Sequence, residues 1–286
     1  MQSQTIVWAA QAPWPQGVQA AMSQRDGGVS EPPFNSFNLG DHVGDNPSHV
    51  QANRQLWAQC TATHPVFLKQ VHGVSVVSLD ASSASSPSPI EADACWTDQP
   101  GVVCTMMVAD CLPILFAAGD GQSVAAVHAG WRGLAGVAEL DASGHSHQPL
   151  GVIESLCRQW PAATHRADRE HMVVWLGPCI GPTAFEVGSE VREAFMRSAQ
   201  SVQDEKAIAA CFESIKTIGS HPTKYLAHLS ALARGRLQRL GFTRVYGNDG
   251  SAPWCTVDNP SRFFSHRRDA AILGSTGRMA AGIWLR

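Results

Sequence analysis

Three short segments of the chain each set a metal-capable side chain beside a glycine or at the end of an apolar run. They are FLKQVHGV at 67–74, with His72 before Gly73; MVADCLPIL at 107–115, with Asp110 and Cys111 between two apolar runs; and VAAVHAGWRG at 124–133, with His128 before a glycine turn. Strand ends are where side chains from separate elements can converge on one point. Two imidazoles and a thiolate suit zinc, since sulfur favours a soft or borderline ion. Three protein ligands leave a fourth position for water or substrate, which is the catalytic arrangement. The spacings, 39 residues from His72 to Cys111 and 17 from Cys111 to His128, are not those of a local zinc finger. The same residues can be read without a metal, as a Cys–His hydrolase with Cys111 as nucleophile and His128 as base. The residues alone leave both chemistries open. A further pair, His145 and His147, forms an HxH that invites a copper reading, although two histidines in a Gly/Ser-rich loop are more often simply solvated.

The elements that must hold these groups are short strands mixed with a few helices. Val, Ile, Phe and Trp cluster near 18–23, 66–70, 74–79, 102–108, 113–118, 123–128, 172–176, 243–246 and 280–285, which read as strands. Helices are expected at 47–60, 151–160, 188–198 and 223–240. Asn46 caps the first, with Pro47 at its first position. In the last, Leu226, Leu229, Ala233 and Leu237 form one stripe, with Arg234, Arg236 and Arg239 towards its C-terminal half. Ser/Pro-rich 81–89 and polar 141–149 read as loops inserted in one domain spanning 1–286. The mixture predicts an α+β class, a layered mixed α/β fold.

Composition limits what such a domain does. The 286 residues are 44% hydrophobic and 16% charged, ordinary for a globular chain. Lys+Arg 21 against Asp+Glu 24 gives a net charge of −3, so no global basic field argues for nucleic acid. The most apolar stretch, 101–118, is interrupted by Asp110 and Pro113 and reads as two buried strands joined by a polar turn, not a membrane span. The first residues carry no cationic n-region, so a signal peptide is not expected and the expected location is cytoplasmic. None of the eight cysteines forms a CxxC pair, and the seven other than Cys111 are expected to be free thiols.

Six blocks then occur in one order: FNLGDHVGDNPSHVQANRQLW at 37–57, QVHGVSVV at 70–77, ADACWTDQPGVVCTMMVADCLPILF at 92–116, VHAGWRG at 127–133, WLGPCIGPTAFEVGSEV at 175–191, and FFSHRRD with STGRMAAGIW in the tail. Together they resemble the bacterial laccase-domain family, also called YfiH-like or polyphenol-oxidase-like. The resemblance implies a zinc site at His72, Cys111 and His128, and phosphorolysis of adenosine, inosine and methylthioadenosine with adenosine deamination as a second activity. It implies a layered α/β fold related to the catalytic domain of the cytotoxic necrotising factor deamidases, a kinship that keeps the Cys–His alternative open. Substrates would be purine nucleosides and phosphate, with no nucleic-acid or membrane partner, and the chain would act as a monomer or weak homodimer.

Within the matched blocks, Arg54, Arg132, Arg267, Arg268 and Arg278 are candidates for phosphate, because a guanidinium can bind it bidentately. Arg268 beside Asp269 can equally be an ion pair. GWRG at 130–133 could open a helix and offer backbone N–H groups to an anion. Asn38 and Asp93 could orient ligands or substrate hydroxyls, or stabilise turns. Trp131 and Phe185 are candidate stacking surfaces for a purine. The chain departs from the family wording in the 141–149 segment, at His266, where an aromatic is expected, and over 226–232. A copper phenol oxidase and a non-enzymatic protein binding a nucleotide or cell-wall precursor are the remaining alternatives.

Overall fold

Two β-sheets packed face to face form the middle of the molecule. The structure, a computed structural model, describes residues 7–61, 64–86, 88–136, 150–215 and 223–286. The first sheet has the order β1 (Val7–Ala9), β2 (Val18–Ser23), β14 (Met279–Leu285), β6 (Val102–Val108), β3 (His64–Phe67). The second has the order β13 (Arg244–Gly247), β9 (Val173–Leu176), β7 (Leu112–Ala117), β8 (Val124–Ala129), β5 (Ala94–Thr97), β4 (Val76–Ser78). Both mix parallel and antiparallel pairs. Strands β6, β7, β8 and β14 are buried along their whole length. That explains their almost wholly apolar sequences, broken by Thr105 in β6 and His128 in β8, since a strand covered on both faces has no solvent side to supply with polar residues.

The core between the sheets sets Met22, Cys104, Met106 and Ile283 against Leu115, Ala117, Ala126 and Trp175. On the outer face of the first sheet, Val103, Ala280 and Trp284 pack with Trp57 of α1 (Pro47–Thr61). On the outer face of the second, Ile114, Phe116, Val127 and Val174 share a core with Leu156 of α3 (Val152–Gln159) and with Ala233 and Leu237 of α7 (Leu229–Leu240). The layers therefore run helix, sheet, sheet, helix. The same outer core takes in a three-stranded sheet, β10 (Glu186–Gly188), β12 (Lys224–Ala227), β11 (Phe212–Ile215), with α5 (Ser189–Arg197) and α6 (Val202–Ala209). Three further short helices lie among the described residues: α2 (Trp131–Ala135), α4 (Arg166–His171) and α8 (His266–Leu273).

The mixed, layered α/β reading of the sequence holds, and its polar turn between two buried strands is the link from β6 to β7. Asn46 caps α1 as expected, its Oδ1 accepting from Ser48 N at 3.0 Å. One expectation is corrected. The helix foreseen over 223–240 is a strand at Lys224–Ala227 followed by a helix from Leu229, separated by the N-cap His228, whose Nδ1 accepts from Ala231 N. Leu226 falls in register with the later leucines, but pairing with β10 and β11 decides its conformation. Within that helix Arg236 is buried beside Glu154, 2.7 Å away. The 81–89 segment contains a short 3-10 turn at Ser83–Ser85, and 141–149 lies outside the described residues. No described helix is long and apolar enough to cross a membrane. All eight cysteines are free thiols.

Candidate metal centre

His72 sits in the irregular link between β3 and β4, so something other than regular pairing must fix it. Two side chains do. The Gln70 amide pairs with the backbone of Met107, donating to its carbonyl and accepting from its N–H, both at 2.8 Å. The carboxylate of Asp93 accepts from the backbone N–H groups of Val71, His72 and Gly73 at 3.2, 2.9 and 2.7 Å. His72 itself has φ 62, a left-handed conformation uncommon outside glycine that costs on the order of 1–3 kcal/mol. Cys111 follows a second such residue, Asp110, with φ 88. Asp110 ties this turn to the C-terminal segment, accepting from Thr256 Oγ1 at 2.5 Å and Arg267 N at 2.6 Å. His128 lies near the end of β8, and the chain then turns directly into α2.

The tightness of that turn explains its glycine. A Cβ on Gly130 would lie 2.7 Å from His72 Cδ2 and 3.2 Å from Cys111 Sγ. Close approach here is what brings three separate links together.

One ligand atom from each of His72, Cys111 and His128 lies within 4.8 Å of the others. Cys111 Sγ is 3.6 Å from His72 Nε2, and the two imidazole rings meet edge-on with centroids 4.8 Å apart. The buried His128 directs Nδ1 to Asp93 Oδ1 at 2.8 Å. A proton donated along that bond leaves Nε2 as the lone-pair donor, the way ligating histidines are normally oriented. Burial pushes the Cys111 thiol up, but the charge of His128 and hydrogen bonds from His128 and His72 outweigh it and bring it down to about 6. Burial disfavours a charged His128, yet the Cys111 charge and the Asp93 hydrogen bond raise it to about 9. Asp93 is held below the usual carboxylate range: burial opposes this, but the His128 contact and the backbone donors prevail. A soft thiolate, two oriented imidazoles and convergent donor atoms fit a borderline divalent ion such as zinc.

The three donors open on a cavity of about 370 Å³, within the usual size for a small-molecule site. Trp131, Ile180, Phe185 and Leu229 give the cavity apolar lining, and His42, Gln70, His266, Arg267 and Arg278 give it polar lining. A larger groove of about 590 Å³ runs along β3 and shares His42 and Gln70 with this cavity, but the donor cluster belongs to the smaller one.

Of the arginines singled out in the sequence, Arg267 and Arg278 border the cavity. The Arg267 guanidinium is held by the carbonyl of Glu186 at 3.0 Å. Arg278 donates Nη1 to the carbonyls of Thr276 and Gly277. Burial lowers its pKa while the nearby charges of Cys111 and Asp110 raise it. The others serve elsewhere. Arg54 pairs with Asp41 at 3.2 Å and lies 4.2 Å over the Phe67 ring. Arg132 is exposed and stacks on Trp131. Arg268 is committed to Asp269 and to the carbonyls of Thr256, Val257 and Phe263. Asn38 is fully buried in a turn, accepting from Gly40 N and Arg278 N. His145 and His147 lie outside the described residues. Sequence reasoning did not single out His42 or Gln70 as site residues. Both stand in the matched blocks, the only signal that could have found them.

A family model described as multi-copper polyphenol oxidoreductase laccase matches residues 19–286. The purine nucleoside phosphorylase YfiH of Escherichia coli strain K12 is 45% identical over 278 residues, covering 96% of this chain and 97% of that protein. The crystal structure of Neisseria meningitidis protein NMB0706 superposes with a TM-score of 0.78 at 39% identity, covering 98% of this chain and 99% of that one. YlmD from Geobacillus stearothermophilus gives a TM-score of 0.78 at 30% identity, covering 96% and 94%. With sequence, fold and length in agreement from end to end, this chain belongs to the laccase-domain family that includes the YfiH proteins.

Proposed function

We propose that this protein is a metal-dependent purine nucleoside phosphorylase that takes adenosine, inosine and methylthioadenosine, with adenosine deamination as a second activity. The observation that carries the reading is the convergence of His72, Cys111 and His128 on a nucleoside-sized cavity with an apolar and a cationic wall. The names of the relatives at 41–45% identity point the same way.

His72, Cys111 and His128 would hold the ion, with zinc favoured by the donor set. When bound, the metal supplies Lewis-acid charge next to the substrate. The chain's own residues do the rest. In phosphorolysis a phosphate oxygen bonds to C1′ of the ribose as the C1′–N9 bond breaks and its electron pair leaves with the purine. Phe185 and Trp131 offer flat apolar faces to the base. Arg278, near the donor cluster, offers positive charge to the phosphate, and Arg267 lines the same wall. Ile180 and Leu229 exclude water from the apolar side, which strengthens these charge interactions.

The test is base release from inosine with and without phosphate, with ribose 1-phosphate assayed as product. Phosphate-dependent release by zinc-loaded protein is expected. Release at the same rate without phosphate would replace phosphorolysis by hydrolysis.

One observation favours a second reading. Cys111, His128 and Asp93 also make a nucleophile, base and orienting carboxylate, with His128 2.8 Å from Asp93. An amidohydrolase of this kind would keep its activity after metal removal, whereas the phosphorylase reading requires that activity disappear with the ion and in Cys111→Ser.

A further inference from the structure

The block at 37–57 contains Asp41, His42 and Arg54, none of which belongs to the metal centre. The structure joins them into a chain of polar contacts. Arg54 donates Nε to the carbonyl of Leu39 at 3.0 Å, lies over Phe67, and reaches Asp41 Oδ2 at 3.2 Å. The other carboxylate oxygen of Asp41 faces His42 Nδ1 at 3.5 Å. Arg54 thus holds Asp41, and Asp41 faces the ring of His42, which lines the cavity.

The same loop is sewn to Arg278. Leu39 N donates to the Arg278 carbonyl at 3.0 Å, Arg278 N donates to Asn38 Oδ1 at 2.8 Å, and a Cβ on Gly40 would lie 2.7 Å from Arg278 Cγ. His42 and Arg278 therefore belong to one wall, and the buried turn around Asn38 fixes their relation. Among the described residues, Arg278 Nε and Nη2 and His42 Nε2 make no hydrogen bond, while Arg278 Nη1 is already used. Two side chains with unpartnered nitrogen atoms thus border the same space.

We propose that His42 and Arg278 form the anion subsite of this cavity, the seat of inorganic phosphate; its identity as a co-substrate rests on the phosphorylase reading. Phosphate offers acceptor oxygens that Arg278 can engage through charge-assisted bonds, and a hydroxyl that can donate to His42 Nε2, the nitrogen that carries the lone pair when the ring proton faces Asp41. The negative charge of Asp41 does not oppose the anion, because Arg54 offsets it. Its carboxyl is held down at about 2 by the His42 hydrogen bond, against burial and with help from Arg54, so it remains an ionised support for the His42 ring. Asp110, a carboxylate that borders the cavity, accepts from Thr256 and from the backbone of Arg267. Arg267 has its guanidinium engaged by the Glu186 carbonyl and is not part of the subsite.

Two measurements on the zinc-loaded full chain test this. Calorimetric titration with inorganic phosphate alone reads the subsite directly. Steady-state kinetics with inosine then gives separate KM values for phosphate and nucleoside. His42→Ala should weaken phosphate in both by roughly ten- to a hundredfold, the loss of one charge-assisted contact. Its nucleoside KM should stay within about twofold, and His42→Gln, which keeps an acceptor, should recover most of the phosphate affinity. Phosphate affinity unchanged in His42→Ala, or a nucleoside KM raised as much as that for phosphate, would overturn the subsite. Wild-type protein that binds no phosphate would overturn it as well. Wild-type protein that binds phosphate in a His42-dependent way but does not cleave nucleosides would sink the phosphorylase reading and leave the subsite standing.

Discussion

Asp93 does more at this site than any ligand. It is fully buried, and its two oxygens accept three backbone N–H groups of the His72 turn and the ring of His128. One carboxylate thereby sets the relative position of two ligands that are 56 residues apart in sequence. Such outer contacts commonly change metal affinity by about ten- to a hundredfold when lost. Asp93→Asn removes the charge and offers one acceptor oxygen where two are used. It should weaken zinc by about that factor, read by competition with a chromophoric chelator. An affinity within twofold of wild type would mean that the turn and the His128 ring are held by packing alone.

At the scale of elements, the C-terminal segment is the part that must not move, because it delivers Arg267, Arg278 and the backbone donor to Asp110. Helix α8 begins with Ser265 as cap, its Oγ accepting from Arg268 N at 3.1 Å. Asp269, in its first turn, accepts from Arg268 Nε and Nη2 at 2.7 and 2.8 Å and from Thr276 Oγ1 at 3.1 Å. Burial disfavours the Asp269 carboxylate, but the Arg268 contact and these hydrogen bonds prevail and hold it below the ordinary range. A depressed folded-state pKa means stability that is present above the unfolded value of about 3.9 and lost as pH falls through the folded value. Asp269→Asn should therefore cost about 2–3 kcal/mol at neutral pH, measured by urea unfolding. The difference from wild type should shrink as pH drops below 4. A difference independent of pH would show that shape, not charge, is what Asp269 contributes.

For the whole molecule, the decisive strand is β14. It lies between β2 and β6 in the first sheet and pairs with both. Its Met279, Ala281 and Ile283 enter the core between the sheets, while Ala280 and Trp284 enter the one beneath α1. Removing residues 279–286 would leave two inner strand edges without partners and open two cores at once. Deletion should prevent native folding rather than lower stability by a step, seen as loss of cooperative unfolding by circular dichroism. A truncated chain that still unfolds cooperatively and binds zinc would show that β2 and β6 can pair without it.

Residue type and local pattern were enough for much of this. His72, Cys111 and His128 stand out because few side chains bind a metal, and all three interrupt apolar runs. The strand at 102–108 was legible because burial on both faces leaves a nearly continuous apolar run of strand length. The conformation of Lys224–Ala227 was not legible, because leucine spacing there continues the pattern of the following helix and only pairing with β10 and β11 makes it a strand. Nor could the pattern reveal two sheets face to face, since a buried strand looks the same whichever layer covers it. The five arginines divide for the same reason. All sit in equivalent motif settings, yet Arg268 meets Asp269, Arg54 meets Asp41, and Arg278 reaches the cavity. A guanidinium's role depends on which carboxylates and carbonyls the fold brings within hydrogen-bond reach, and those partners lie far away in the chain. Sequence therefore determined which groups could do chemistry, and tertiary structure alone decided which remain available to do it.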